Sequence, residues 1–195
     1  MRLRTLLALG IVLLLGAGGK AGPSFNSNRA ELASLSRDAG AALHKGLANV
    51  HLMVQSLEEE NPAQAEERRA EALKSLDLAI NKLEQIAAKA PAQNLVLNPN
   101  TDEEKAAVGA LAPAPLKRRG IESPRTEKDL AQLATRLVSS FRAAVADSQR
   151  FDKTSTRVDR ANTKAYAYFQ KLFREEAFLL NVGVSVSLIW AMQEK

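Results

Sequence analysis

NPAQAEERRAEALKSLDLAINKLEQIAAKAP, residues 61–91, is the stretch from which the fold is read. Ala70, Leu73, Leu76, Ile80, Leu83, Ala87 and Ala90 recur by threes and fours, which sets them on one face of a helix over about 62–89 at the spacing of a coiled-coil seam. The prolines at either end supply the boundaries. Pro62 suits the first turn of a helix and disfavours helical backbone at Asn61, so Asn61-Pro62 reads as a tight reversal, and Pro91 closes the segment.

Working outward, residues 28–60 repeat the pattern with Leu32, Leu35, Ala39, Leu43, Gly46, Val50, Val54 and Leu57 on one side. A short connection between two such helices makes them antiparallel neighbours. On the other side of Pro91 the composition changes. Asn98-Pro99-Asn100, Ala112-Pro113-Ala114-Pro115 and the basic cluster Lys117, Arg118, Arg119 mark 91–123 as a long loop, inside which Thr101 and Glu104 suit the start of a short helix to about Leu111.

Helical periodicity then returns. Ser123-Pro124, or Thr126 with Asp129, opens a third helix over about 126–151 that carries Leu130, Leu133, Leu137, Phe141, Ala144 and Ser148 on one side. Thr154 or Ser155 caps a fourth over about 155–192, with Val158, Ala161, Ala165, Phe169, Leu172 and Leu179 facing one way. The expected fold is all-α: an antiparallel four-helix bundle of two helical hairpins joined by a long loop, occupying residues 22–195.

Residues 1–21 have the layout of a signal peptide: Arg2 and Arg4, an apolar run from Leu6 to Leu15, then the small residues Ala17, Gly19 and Ala21. The run is too short to span a bilayer, so cleavage after Ala21 and an extracytoplasmic location, periplasmic or secreted, are expected; the alternative is an uncleaved leader that anchors the chain in the membrane. The sequence has no cysteine, which excludes a disulfide scaffold, thiolate metal sites and a cysteine nucleophile.

Loss of the leader removes three basic residues and lowers the net charge from +5 to +2, which weakens the case for nucleic acid as a partner. An asymmetry remains. Residues 22–114 hold nine basic and thirteen acidic side chains, whereas 115–174 hold fourteen and six, so the chain is divided into an acidic and a basic half.

The most regular polar feature is on the fourth helix, where Lys153, Arg157, Arg160, Lys164 and Lys171 fall within about 60° of one another at 100° per residue. Such a cationic stripe suits an anionic partner, either a protein or an envelope component such as a phospholipid headgroup. It also suits internal pairing with Glu66, Asp77 and Glu84, which share a flank of the second helix. The uncharged segment Ala177–Met192 with Trp190 offers peripheral membrane contact, and amphipathic seams of this kind also pair between chains, so an oligomer is compatible with the pattern.

His44, His51 and Glu58 form a column at heptad spacing, about 10.5 Å per step, too far apart for two side chains to hold one metal ion. No nucleophile elbow, phosphate-binding Gly-rich loop or Glu-x-x-His pair is present, so neither a catalytic residue nor a cofactor is assigned. The leading expectation is an exported, non-catalytic helical bundle that mediates protein or cell-envelope contacts. The alternative is a carrier or sensor of a small molecule or cofactor, with an apolar cavity where Phe169 and Phe173 face Ala39, Ala42 and Gly46.

Overall fold

Three long helices are described from end to end: α1 (Phe25–Glu58), α2 (Pro62–Lys89) and α3 (Glu127–Asp147). The structure, a computed structural model, describes residues 25–95, 102, 105, 109, 116, 117 and 120–148. The expected signal peptide, 1–21, and fourth helix, 155–192, lie outside the described residues. Within them the fold is all-helical, with no strand.

The reversal between α1 and α2 is built from two overlapping caps. Asn61 N–H donates to Ser56 C=O at 2.8 Å and Glu60 N–H to Leu57 C=O at 3.2 Å, the pair of bonds that ends a helix when the residue after its cap turns left-handed. Here that residue is Glu60, at φ 59°. Asn61 at once becomes the N-cap of α2, its Oδ1 accepting from Gln64 N–H at 3.1 Å, and Pro62 takes the first turn, where a missing N–H costs nothing. The chain therefore reverses within three residues.

The buried face of α2 is displaced from the row read in the sequence. Ala65, Arg69, Ala72, Leu76, Ala79, Leu83, Ile86 and Ala90 are buried and follow one another by fours and threes without a break, while Ala70 is exposed and Leu73, Ile80 and Ala87 are half-buried beside them. The larger side chains drew the expected stripe to one side. The actual seam alternates small and large residues, so that neighbouring backbones approach closely. Gly46 of α1 shows how closely: a methyl group there would stand 2.9 Å from Leu76 Cδ2 and 3.0 Å from Leu76 Cγ.

Ion pairs along the edges fix the register of α1 against α2. Glu31 pairs with Lys89, Asp38 with Lys82 at 3.4 Å and Lys45 with Glu71 at 4.0 Å, the order of antiparallel helices. These pairs are largely exposed and add little energy each, so the seam holds the helices together and the charges select the alignment. On α1 the fully buried residues span about 220° at 100° per residue, against about 120° on α2. One neighbour cannot cover so wide an arc.

α3 begins as its sequence predicts. Thr126 Oγ1 accepts from Asp129 N–H and Asp129 Oδ2 accepts from Thr126 N–H, both at 3.0 Å, a reciprocal capping box. Hydrogen bonding from the Thr126 side chain above all, with the backbone N–H groups of Thr126 and Arg125 and the nearby Arg125 charge, holds the Asp129 carboxyl below its ordinary value of 3.8. The far end falls short of the expected Phe151. The helix ends at Asp147, and the hydroxyl of the C-cap residue Ser148 donates to Val145 C=O at 2.6 Å and accepts from Arg69 Nε at 3.2 Å.

α3 packs on α2, and its buried face is formed by Leu130, Ala131, Leu133, Ala134, Val138, Phe141 and Val145. Leu137 and Ala144, expected at the centre, are half-buried at its margin. α1 and α3 touch at their ends, through Arg29 and Glu127 on one side and Met53 and Ser148 on the other. α2 thus neighbours both, and α1 and α3 face each other across the core.

The expected long loop is more structured than a loop. Asp102, Lys105 and Gly109 are helical, in the place where Thr101 and Glu104 suit a short helix. Leu116 and Lys117 are also helical, and that turn ends with Ile121 N–H on Leu116 C=O at 2.9 Å, Gly120 N–H on Lys117 C=O at 3.0 Å and Gly120 at φ 68°, a glycine-terminated helix end. Leu116 is fully buried in the core. The segment's two ends are clasped by an isolated antiparallel bridge, Asn94 to Thr126, with Leu95 N–H on Arg125 C=O at 2.7 Å and Glu127 N–H on Gln93 C=O at 3.3 Å.

Two predictions follow from the caps. Replacing Glu60 by Gly relieves a side chain in left-handed backbone, and urea denaturation should show a gain of about 0.5–1 kcal/mol. Asp129→Asn should cost about 0.5–1 kcal/mol at pH 7. Because folding depresses the Asp129 carboxyl, its contribution is complete above 3.8 and is lost as pH falls below that value, so the difference between wild type and variant should shrink in unfolding curves taken toward pH 2.

Candidate functional site

Lys153, Arg157, Arg160, Lys164 and Lys171, the residues singled out for partner binding, lie outside the described residues, as do Phe169 and Phe173 of the alternative cavity and the segment Ala177–Met192. The small residues assigned to the other wall of that cavity are placed. Ala39, Ala42 and Gly46 are buried, and Leu76 of α2 stands directly against Gly46, so at that position the space left by the missing side chain is filled by the neighbouring helix.

The acidic flank of α2 lies within the described residues, while the cations expected to pair with it lie outside them. Arg142 of α3 grips Asp77 with two hydrogen bonds, Nε to Oδ1 at 2.9 Å and Nη2 to Oδ2 at 3.2 Å, and the Asp77 carboxylate raises the Arg142 guanidinium further above its ordinary value. Glu66 pairs with Arg69 one turn along the same helix. Glu84 is exposed. The carboxylate at the middle of the row therefore serves the α2–α3 contact.

Two arginines, the half-buried Arg29 and the buried Arg69, organise the polar contacts between helices, and neither stands out in the sequence. Arg29 holds Glu127 with a two-pronged contact, Nη1 to Oε2 at 2.8 Å and Nη2 to Oε1 at 3.0 Å, and Nη2 also reaches Gln93 Oε1 at 3.3 Å. The Glu127 side chain is only 8% exposed. As the first residue of α3, Glu127 also sets its negative charge against the positive end of that helix. α1, the chain leaving α2 and the start of α3 meet at this one carboxylate.

Arg69 occupies a seam position of α2 and is 2% exposed. Its Nε donates to Ser148 Oγ, and Ser148 Oγ lies 3.9 Å from Met53 Sδ, so the opposite end of the assembly is joined by a second polar contact among all three helices. The signal that marks Arg69 is its place in the run Ala65, Arg69, Ala72, Leu76, spaced four, three and four. A leucine-based reading of the stripe passes over it because a charged residue interrupts the apolar count. Arg29 leaves no local trace, since its partner lies 98 residues away.

His44 and His51 are half-buried and Glu58 is exposed, on the side of α1 away from α2. No group of three or more His, Cys, Asp or Glu side chains able to hold a metal ion occurs among the described residues. An open depression of about 330 Å³ is lined by Gly120, Ile121, Glu122, Leu133, Arg136 and Leu137, where the glycine-capped turn rests against α3. Leu52 and Leu78 are the exposed large apolar side chains among the described residues, and isolated leucines of this kind are ordinary on a protein surface.

No protein-family model matches the chain, and neither the curated proteins nor the solved structures contain a significant match. None of the described helices is long and apolar enough to cross a membrane.

The Arg29–Glu127 contact makes a measurable demand on stability. Arg29→Ala leaves a carboxylate buried beside an empty site and should cost about 2–4 kcal/mol, less than a fully enclosed pair because Arg29 is partly exposed. The double replacement Arg29→Met with Glu127→Leu should recover most of that loss in the same denaturation assay.

Proposed function

We propose that the chain is an exported four-helix bundle that works by contact, not catalysis, presenting the stripe Lys153, Arg157, Arg160, Lys164 and Lys171 to an anionic protein or envelope surface. Residues 155–192 supply the fourth helix. Support for that helix comes from α1, whose buried arc is wider than α2 can cover, and from the amphipathic pattern of the chain beyond Ser148.

One observation carries the functional reading: Asp77, the central acid of the row that would neutralise the stripe internally, is already held by both prongs of Arg142. In an antiparallel bundle in which α2 neighbours α1 and α3, the fourth helix is also diagonal to α2, which separates the two charge rows further. The leader, with Arg2, Arg4 and the apolar run before Ala21, directs the protein to the envelope, where anionic surfaces are abundant.

The test is fractionation of cells that express the full chain. The processed protein should begin at Gly22, should sediment with an envelope fraction at low salt and should be released as salt rises. The quadruple variant Lys153→Glu, Arg157→Glu, Arg160→Glu, Lys164→Glu should lose sedimentation about tenfold or more. Equal sedimentation of wild type and variant, or an unprocessed cytosolic product, overturns the proposal.

A further inference from the structure

The depression between α3 and the glycine-capped turn has two walls of different origin. Leu133, Arg136 and Leu137 stand three and four residues apart, on one face of α3, and form the first. Gly120, Ile121 and Glu122 form the second. The space they enclose, about 330 Å³, is at the small end of the range for ligand sites and is about 9 Å across if taken as a sphere.

Both walls are fixed by the fold. Ile121 packs on the core, its N–H donates to Leu116 C=O at 2.9 Å, and Leu116 is itself fully buried, so the turn is moored where it meets the depression. Four residues on, Arg125 C=O accepts from Leu95 N–H at 2.7 Å and holds the other end of the segment. Gly120, at φ 68°, brings no side chain, and nothing beyond its chain neighbours lies within 4 Å of the place a Cβ would take. The mouth is therefore open on that side.

The lining combines hydrocarbon with one charge of each sign. Leu133 is buried and Ile121 and Leu137 are half-buried, an apolar surface that a ligand can cover further. Arg136 and Glu122 are exposed, one on each wall, and neither makes an ion pair or a hydrogen bond through its side chain among the described residues, with the other or with any third group. Arg142, further along α3, differs: its guanidinium is committed to Asp77 by both prongs. Opposite charges that line one gap without closing it suit a ligand that carries the complementary pair.

We infer that this depression binds a short apolar peptide with free ends, of dipeptide size, whose carboxylate meets Arg136, whose ammonium meets Glu122 and whose side chains lie on Ile121, Leu133 and Leu137. Two residues of extended chain span about 7 Å, which suits walls this far apart, whereas a single amino acid holds its two charges too close together to reach both. The planar fork of Arg136 matches a carboxylate, and a fatty acid would leave Glu122 without a partner. None of these residues belongs to the proposed contact stripe, so the site stands or falls apart from that reading.

The test is titration of the isotope-labelled protein with leucyl-leucine, followed through its amide NMR signals. Signals of residues 120–122 and 133–137 should move together and saturate at millimolar peptide or below. Acetylating the peptide amine should weaken binding about threefold or more in the wild type and cause no further loss in Glu122→Gln; amidating the carboxylate should do the same against Arg136→Gln. Diglycine, which keeps both charges and lacks the apolar body, should bind about tenfold more weakly. Glu122 and Arg136 are exposed, so both variants should keep the helical circular dichroism and melting of the wild type. Movement confined to other residues, movement that does not saturate, equal affinity for diglycine and leucyl-leucine, or wild-type affinity in both variants overturns the inference.

Discussion

A single buried carboxylate, that of Glu127, carries the junction on which the arrangement of the three helices depends. Arg29 reaches it from the start of α1 with both prongs of its guanidinium, Gln93 shares the arginine from the chain leaving α2, and the backbone of Glu127 bonds to Gln93 C=O. A charge this far from water persists only when it is paired and hydrogen-bonded, so the three segments are obliged to converge. Arg69 plays the matching part at the other end, joining α2 to Ser148 at the close of α3 and, through it, to Met53 of α1. Between these two polar points the contact is apolar and would by itself tolerate sliding.

The division of labour explains why a seam of small residues suffices. Ala65, Ala72 and Ala79 alternate with larger side chains along α2, and Gly46 admits Leu76 at the closest approach to α1. Close backbone approach gives many weak dispersion contacts and leaves alignment underdetermined, because alanines interlock less than leucines. Register is supplied by the edge pairs Glu31–Lys89, Asp38–Lys82 and Lys45–Glu71 and by the polar contacts of Arg29 and Arg69. Specificity and cohesion thus reside in different residues.

The same logic bears on function. Polar groups hold helices to one another: Asp77 with Arg142, Glu127 with Arg29 and Arg69 with Ser148. The bridge at Asn94 and Thr126 clasps the ends of the long connection, and Leu116 pins its interior to the core, so the excursion is carried by the bundle at both ends and in the middle. The basic turn around Lys117 and Gly120 is consequently held against α3, beside Arg136.

Local chemistry alone determined the all-helical class, the reversal at Asn61-Pro62, the stop at Pro91 and the capping box of Thr126 and Asp129, because each rests on groups a few residues apart whose geometry the helix itself imposes. The stripes of α1 and α3 were legible in outline for the same reason. The seam of α2 was read too far toward Leu73 and Ile80, since periodicity weighs side-chain size and cannot tell that Arg69 belongs among the alanines. The burial of Leu116, the Arg69–Ser148 contact and the Arg29–Glu127 junction were decided only by the tertiary structure. Each depends on a partner brought close by packing, in the last case across 98 residues of chain, and such proximity has no local counterpart in the order of the residues.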